Sequence, residues 1–269
     1  MAGASARISS GRRIAADLAQ LALLMAALAW LVLRGAGGLG YNWQWYRIPP
    51  YIARIVDGQF IWGPLIRGLM VTLEISAAGL ILTLAIGLIA ALLRTSRSYS
   101  GRLLAGLYIE LVRNTPLLVQ LYLFYFVLAP ILGIPRFWTG VLCLAAFEGS
   151  FAAEIFRAGI AAVPKGQWEA SAALGLGRLA QLRRVILPQA IPLMLPPMTG
   201  QAVSLIKDSS IVSVIAIFDL TNEGRTIISD TFMSFEVWFT VAAIYLVLTV
   251  SLSAAASRLE RRAARYRRS

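Results

Sequence analysis

Long apolar stretches alternate with short polar loops along this chain. Six of these stretches are near or above the roughly 20 residues that a helix needs to cross a bilayer. They lie at about residues 15–34, 64–93, 103–130, 138–161, 191–218 and 236–257. The pattern predicts an all-α integral membrane protein with about six spans.

The segment at residues 35–61 interrupts this pattern between the first two spans. It begins with several glycines and carries Trp43, Trp45, Tyr46 and the pair Pro49-Pro50. Tryptophan and tyrosine favour the level of the lipid headgroups. The segment is interpreted as an external loop, and it could equally contain a short interfacial helix.

Composition and charge support a membrane protein and orient it. Hydrophobic residues make up 58% of the 269 residues, the mean hydropathy is +0.72, and the net charge is +12. Arginines are concentrated before span one, after spans two and four, and in the tail at residues 258–269. The positive-inside rule then places both termini and the loop at 163–190 in the cytoplasm. The arginine-rich tail is expected to contact anionic headgroups rather than nucleic acid.

The first span at residues 15–34 also has an alternative interpretation. Arg12-Arg13 followed by an apolar stretch resembles a secretory signal. No convincing small-x-small cleavage site follows before Gly35, so a retained span is expected.

Residue types that are rare or missing exclude several functions. The chain has no histidine, and its single cysteine, Cys143, lies inside span four. A metal site and histidine-assisted catalysis are therefore not expected. Neither Lys165 nor Lys207, the two lysines, has the glycine-rich context of a phosphate-binding loop. The chain is not expected to be an enzyme or to carry a cofactor, so transport would depend on a separate nucleotide-binding subunit or on an ion gradient.

The loop at 163–190 contains an unusual run of small residues with one carboxylate. Gly166 to Gly175 reads GQWEASAALG, and Ile186 to Ala190 reads ILPQA. Trp168, Ala172 and Leu176 recur at intervals of four on one helical face, and glycines provide a stop signal. A second helical turn is expected to restart before Pro188, which would end or redirect it. The run suits docking to another protein, and the alternative is an interfacial hairpin without a partner.

This loop resembles the EAA loop of permease subunits in ATP-binding-cassette (ABC) importers, most closely in the polar amino acid branch. The resemblance implies a cytoplasmic coupling helix that binds an ATPase subunit. The residues it implies for that contact are Gly166, Gln167, Trp168, Glu169, Ala170, Ala173 and Gly175.

Three other segments carry the same resemblance. The run from Glu110 to Gln120 is similar to the family segment E-x-x-R-G-T-P-L-L-V-Q, with Asn114 in place of glycine. The runs at residues 154–160 and 205–210 are similar to E-I-x-R-x-G-I and L-I-K-D-T-S. The resemblance covers roughly residues 61–257.

The resemblance implies a five-helix permease core at 61–257, preceded by an N-terminal transmembrane helix and external loop at 1–60. It also implies a bacterial inner-membrane location, a second permease that is identical or paralogous, an ATPase subunit that holds ATP and Mg, and an extracytoplasmic binding protein that delivers an amino acid. Transport would proceed by alternating access. The alternatives are an ion-coupled secondary transporter or channel, for which no inverted repeat is visible, and a membrane-embedded enzyme acting on lipid.

Charged residues within the spans are the candidates for the substrate path, because such residues are costly in hydrocarbon. Lys207 and Asp208 match the two charges of a zwitterionic amino acid. If span five starts after Pro196-Pro197, Lys207 lies roughly 15 Å along it, near the bilayer midplane. An ion pair that stabilises a bend or a dimer interface is the alternative. The complete set expected along the path is Lys207, Asp208, Ser209, Ser210, Asn114, Thr115 and Glu148.

Two pairs of opposite charges are expected to be structural. Glu110 and Arg113, and likewise Glu154 and Arg157, lie three residues apart on one helix, so each pair can neutralise itself. Pro116 is expected to kink the third span and to free carbonyl groups near a cavity.

Overall fold

The structure is a computed structural model that describes residues 3–38 and 40–266, with the side chains of residues 16–31, 34–35 and 40–258. The chain forms two compact units, residues 1–45 and 46–269. In the first unit, helix α1 spans Gly3–Gly38. It contains the apolar segment Ala16–Leu31, whose side chains are exposed. After α1, the Trp43 ring stacks on that of Trp45 with centroids 6.1 Å apart.

The second unit begins with a β-hairpin that the sequence analysis did not predict. A 3-10 turn at Trp45–Arg47 and the short helix α2, Pro49–Ile52, lead into strands β1, Ala53–Val56, and β2, Gln59–Trp62. The strands pair antiparallel, with Ile55 opposite Phe60. Asp57 and Gly58 both have positive φ, at 53° and 74°, as a two-residue hairpin turn requires. The segment at residues 35–61, expected to be a loop or a short interfacial helix, thus also contains a hairpin, which the Asp-Gly turn favours.

The rest of the unit is helical. The helices are α3 Pro64–Thr95, α4 Tyr99–Arg113, α5 Leu117–Leu123, α6 Ala129–Leu132, α7 Arg136–Ala161, α8 Lys165–Ala173, α9 Arg178–Gln181, α10 Leu187–Asp208, α11 Leu220–Thr231 and α12 Ser234–Tyr266. Wider π-helical turns at Phe124–Leu128 and Leu182–Ile186 join α5 to α6 and α9 to α10. A 3-10 segment at Ser209–Ile215 extends α10.

Among the described residues, three helices are long and apolar enough to cross a membrane: Pro64–Thr95, Arg136–Ala161 and Ser234–Arg258. A fourth span results if the bent pair α4 and α5–α6 counts as one. Helices also occupy the positions predicted for spans one and five, but α10 carries three internal prolines together with Lys207 and Asp208. The number six therefore stays a prediction. Helix α12 continues to Tyr266, so the described part of the basic tail extends this helix.

The predicted third span is broken rather than gently kinked. Helices α4 and α5–α6 meet at an angle of 111° across Asn114–Pro116. Gln120 holds the break: its Nε2 donates to the carbonyl of Val112 at 2.7 Å and to the hydroxyl of Thr115 at 2.7 Å. Pro116 cannot donate a helical hydrogen bond, and Gln120 satisfies carbonyl groups that the break leaves without partners.

Helices α3 and α7 form the centre of the unit and run in the same direction. An added Cβ at Gly87 of α3 would lie 2.6 Å from the Ala152 side chain of α7, so the two backbones are in close contact. The surrounding core contains Ile75, Leu121, Leu144 and Val212. This packing fixes the C-terminal ends of α3 and α7. Helix α8 follows directly after the end of α7.

Candidate functional site

Helix α8 lies where the sequence predicts a helix in the loop at 163–190. Pro164 precedes it in an extended conformation, and Gly175 follows it in the left-handed region with φ +74°. The Gly175 N–H donates to the carbonyl of Ala172 at 2.9 Å. A glycine in this conformation is the usual end of a helix, so the predicted stop at Gly175 is confirmed.

One side of α8 is anchored to the helix bundle. Trp168 is half-buried and packs against the cluster of Val163, Ile186, Ala190 and Met194. Ser171 is 2% exposed, and its Oγ donates to the carbonyl of Trp168. The anchored face therefore runs through Trp168 and Ser171. Ala172, one turn after Trp168, is exposed.

The other side of α8 forms an open surface of small and apolar residues. Leu174 is 80% exposed, and Leu179, at the start of the next helix, is 78% exposed. We define the α8 surface as these two leucines together with the exposed residues Gly166, Gln167, Glu169, Ala170, Ala173 and Gly175. The Gln167 side chain also accepts a hydrogen bond from Gln189, at 3.2 Å. All the residues predicted for coupling except Trp168 thus lie on one exposed surface, and Trp168 holds it in place.

Pro188 does not end the helical segment that follows. The π-helical turn at Leu182–Ile186 passes directly into α10, and Pro188 occupies the first turn of that helix. The first turn has N–H groups without helical acceptors, so proline is tolerated there. The expectation that Pro188 ends or redirects the helix is therefore wrong.

Glu148 of α7 is the centre of a buried polar cluster. It is 1% exposed, and its Oε2 accepts a hydrogen bond from the side-chain amide of Gln201 on α10. Asp208 lies close to the Glu148 carboxyl, and Lys207 is near enough to interact with it electrostatically. The Glu148 Oε1 has no hydrogen-bond partner among the described residues. The structure thus brings together three of the residues predicted for the substrate path and adds Gln201.

Lys207 lies near the end of a helix that is longer than the predicted span. The helix starts at Leu187 and continues through Pro192, Pro196 and Pro197, which places Lys207 about 30 Å from its beginning and about 15 Å from Pro197. The position of Lys207 near the bilayer midplane stays a prediction. Lys207 is exposed and lines a cavity of about 510 Å³ between α10 and α12, to which Thr249, Ser253 and Arg258 also contribute.

The two serines after Asp208 do not present free hydroxyl groups. Ser209 is fully buried and donates to the carbonyl of Ile206 at 2.8 Å. Ser210 donates to the carbonyl of Lys207 at 2.8 Å. Both hydroxyls close the tight turn from α10 into the 3-10 segment. The place of both serines on the substrate path stays a prediction.

Asn114 and Thr115 are exposed at the break between α4 and α5, away from the hydrogen bonds of the Glu148 cluster. Asn114 Nδ2 donates to the Glu110 carbonyl at 2.7 Å and to the Glu110 carboxylate at 3.2 Å. Thr115 Oγ1 donates to the carbonyl of Leu111 at 2.9 Å. These side chains shape the break, and no described contact joins them to Lys207.

One of the two predicted ion pairs is present. Glu154 accepts from Arg157 at 2.8 Å, and Arg94 of α3 lies 3.6 Å from the same carboxylate. Among the described residues, Glu110 and Arg113 form no ion pair. The guanidinium of Arg113 lies 5.0 Å from the ring centre of Phe151 on α7 instead. Helix α4 ends at Arg113, which lets its side chain turn towards α7.

Sequence reasoning missed Gln201, Arg94 and Gln120. Gln201 and Asp208 are seven residues apart on α10, so they share one face, and this spacing was a usable signal. The contact of Arg94 with Glu154 joins two helices, and the contacts of Gln120 depend on the break between α4 and α5. Neither contact has a signature in local spacing.

The sequence of this chain is similar to those of known transport proteins. Residues 83–265 match the family described as "Binding-protein-dependent transport system inner membrane component". The chain is 41% identical over 201 residues to the glutamine transport system permease protein GlnP of Escherichia coli strain K12, covering 74% of this chain and 92% of that protein. It is 35% identical over 200 residues to a putative GlnP of Rickettsia prowazekii, again covering 74% and 92%.

Solved structures show the same fold. An amino acid ABC transporter crystallised with histidines superposes with a TM-score of 0.69 at 41% identity, covering 74% of this chain and 94% of that chain. The MetNI methionine ABC transporter, at 21% identity and a TM-score of 0.66, supports the fold alone. The chain has the fold of ABC importer permeases and belongs to the family of inner membrane components of binding-protein-dependent transport systems.

Proposed function

We propose that this chain is the permease subunit of an ATP-driven importer of polar amino acids. Its relatives with about 41% identity are a glutamine permease and an amino acid ABC transporter. These relatives do not support the alternative of an ion-coupled transporter or channel. The observation that carries the proposal is the buried Glu148 cluster, whose charges match those of an amino acid.

The Glu148 cluster provides groups for both ends of a zwitterion. Glu148 and Asp208 lie side by side, and Glu148 Oε1 lacks a hydrogen-bond partner among the described residues. A buried carboxylate oxygen without a partner is costly, and a substrate ammonium group would satisfy it. Lys207 at the adjacent cavity would hold the substrate carboxylate. Asn114 and Thr115 would shape the path at the break between α4 and α5.

The α8 surface is the proposed docking site of the ATPase subunit. Its small residues permit close approach of a partner backbone, and its two exposed leucines provide apolar area. Trp168 anchors the surface to α7 and α10, so a force applied there reaches helices that carry the Glu148 cluster. ATP and Mg²⁺ would be held by the ATPase subunit, with no cofactor in this chain.

The remaining partners follow from the family. A second permease, identical or paralogous, would complete the translocation path, and an extracytoplasmic binding protein would deliver the amino acid. Both termini and α8 would face the cytoplasm, where ATP is available. Nucleotide can drive alternating access only if it binds the two conformations with different free energies.

The coupling role is tested with Glu169→Lys in proteoliposomes that contain the ATPase subunit and receive the loaded binding protein. We expect the stimulation of ATP hydrolysis and amino acid uptake to be lost while the permease still inserts. The control is Arg97→Glu, a charge reversal at an exposed residue in the loop after α3. This variant should retain both activities. Full stimulation in Glu169→Lys would refute the docking role of α8.

The recognition role is tested separately with Lys207→Ala. We expect uptake to be impaired while the complex assembles normally, as judged by copurification of the ATPase subunit. Unchanged uptake kinetics would assign Lys207 a purely structural role.

A further inference from the structure

A second polar cavity lies at the other end of α3, next to the β-hairpin. It has a volume of about 430 Å³ and is lined by parts of the 3-10 turn, α2, both strands and the first turn of α3. Arg47, Arg54 and Arg67 all contribute to its wall, and no carboxylate is among the described residues that line it. Arg47 already interacts with other groups of the protein, so Arg54 and Arg67 are the arginines that this cavity offers to an anion.

One carboxylate lies near the arginines of the cavity. Glu223 of α11 is near enough to Arg67 to interact with it electrostatically, but it does not line the cavity. Arg54 and Arg67 are exposed, and Arg47 is half-buried. Guanidinium groups bind phosphate through two parallel hydrogen bonds, so a phosphate group fits this arrangement better than a halide or a neutral polar group.

The hairpin beside the cavity exposes large apolar side chains next to Arg54. Ile55 and Phe60 lie opposite each other on one face and are 74% and 59% exposed. Trp62 is on the same face, 48% exposed and in edge-to-face contact with Phe60, with ring centroids 4.7 Å apart, and it also lines the cavity. Arg54 and Ile61 lie on the opposite face and line the cavity too. An exposed apolar face behind an arginine-lined cavity is the arrangement of an element that lies at a membrane surface.

The position along the chain places this element at the edge of the bilayer. Helix α3, a candidate membrane span, begins at Pro64, two residues after the end of β2. Tyr46 and Tyr51 also line the cavity. Tyrosine and tryptophan concentrate at the level of the headgroups, where phospholipid phosphates lie.

We propose that this cavity binds the phosphate of an anionic phospholipid headgroup while the apolar face of the hairpin lies against the acyl chains. A free anion would use the arginines but not the exposed apolar face next to them, and the start of a candidate membrane span two residues after the hairpin favours a lipid over an acidic protein surface. The site lies outside the family match at residues 83–265. It would anchor the start of α3 at one depth in the membrane.

The test is a titration of the purified full chain with phosphatidylglycerol, followed by native mass spectrometry. Two arginines at a membrane surface together contribute roughly 30-fold in affinity. We expect Arg54→Gln/Arg67→Gln to weaken the tightest lipid-binding event by about this factor. The control Arg183→Gln/Arg184→Gln removes two positive charges from the π-helical turn before α10. This variant should keep the wild-type affinity for the tightest-bound lipid. Wild-type affinity in the Arg54/Arg67 variant would overturn the proposal.

Further arms separate a lipid from other anions. Ile55→Ser/Phe60→Ser should weaken binding of phosphatidylglycerol, and millimolar inorganic phosphate should not displace the lipid from the wild-type chain. Displacement by phosphate, or full lipid affinity in the Ile55/Phe60 variant, would favour a free-anion site and overturn the proposal. A polyglutamate peptide that displaces phosphatidylglycerol from the wild-type chain, but does not bind the Arg54/Arg67 variant, would favour an acidic protein partner and overturn the proposal. Thermal unfolding of each variant verifies the fold, and Arg54→Gln alone replaces the double variant if that one unfolds.

Discussion

The side-chain amide of Gln201 donates a hydrogen bond to the carboxylate of Glu148, 53 residues earlier in the chain. This bond joins α10 to α7 inside the helix bundle and satisfies one oxygen of an acid that is 1% exposed. The second oxygen has no partner among the described residues. Glu148 is therefore held in place by the protein, next to the carboxyl group of Asp208.

Glu148→Gln is expected to raise the KM for amino acid uptake by about tenfold or more. The substitution keeps the size of the side chain and replaces an acceptor oxygen with an N–H donor that repels a substrate ammonium group, and a hydrogen bond to a charged group is worth about 1.5–3 kcal/mol. Uptake into proteoliposomes that contain the complete transporter measures this effect.

Ser210→Ala is the matched control, because the Ser210 hydroxyl is already bonded to the Lys207 carbonyl. It should show nearly wild-type uptake kinetics. If Glu148→Gln and Ser210→Ala gave the same KM, the carboxylate of Glu148 would have no part in substrate recognition.

The sequence allowed the α8 region to be predicted well because its signals are local. Helix propensity, the stop at Gly175 and the small residues all lie within one short segment. The long apolar helices α3, α7 and α12 were predicted for the same reason, since hydropathy is a property of consecutive residues. The Asp57-Gly58 turn is an equally local signal and is typical of a hairpin.

The Glu148 cluster could be predicted only in part. Lys207 and Asp208 stand out as charges in an apolar stretch, but their relation to Glu148 depends on how α10 packs against α7. The length of α10 could not be predicted either, because proline usually breaks a helix, whereas α10 continues through Pro192, Pro196 and Pro197.

Leu174→Asp is expected to weaken association with the ATPase subunit. Leu174 is 80% exposed on the α8 surface, and burying a charge in an apolar contact costs more than the lost leucine alone. We expect at least a tenfold loss of affinity, which corresponds to about 1.4 kcal/mol, measured by titration of the ATPase subunit against the reconstituted permease.

The control is Phe232→Asp, which makes the same type of change at a side chain that is 82% exposed. Phe232 lies between α11 and α12 and has φ +59°, a conformation that aspartate tolerates. Equal affinities of the two variants for the ATPase subunit would show that Leu174 is not part of the docking surface.

Asp219 is expected to make the stability of the fold depend on pH. It caps α11 by accepting from the N–H groups of Asn222 and Thr221, at 3.0 and 3.2 Å. Its side chain is fully buried, and this loss of hydration raises the pKa of Asp219 to about 6. In the unfolded chain an aspartate has a pKa near 3.9, so between these values the folded state binds more protons.

The contribution of Asp219 to the free energy of unfolding should therefore be greatest below about pH 4. It should fall as the pH rises to about 6. The contribution is at most roughly 3 kcal/mol. Asp219→Asn keeps an oxygen for the cap and removes the titration, so thermal unfolding should lose this part of the pH dependence. Asp230→Asn, at an exposed site near the end of the same helix, is the control. A wild-type pH profile in Asp219→Asn would contradict the prediction.

Gly87→Ala is expected to destabilise the contact between α3 and α7. Its Cβ would lie 2.6 Å from the Cβ of Ala152 and 3.1 Å from the carbonyl oxygen of Gly149. Both neighbours belong to a rigid helix, so the helices must separate. Overpacking of this kind costs about 1–3 kcal/mol, which exceeds the gain of roughly 1 kcal/mol from replacing glycine in a helix.

Gly106→Ala provides the comparison, because its Cβ would have no atom within 4 Å. It should have the same unfolding temperature as the wild type or a slightly higher one, since only the helix propensity of α4 changes. Thermal unfolding of both variants in the same detergent measures the difference. A Gly87→Ala variant as stable as Gly106→Ala would mean that α3 and α7 are not in close backbone contact at this position.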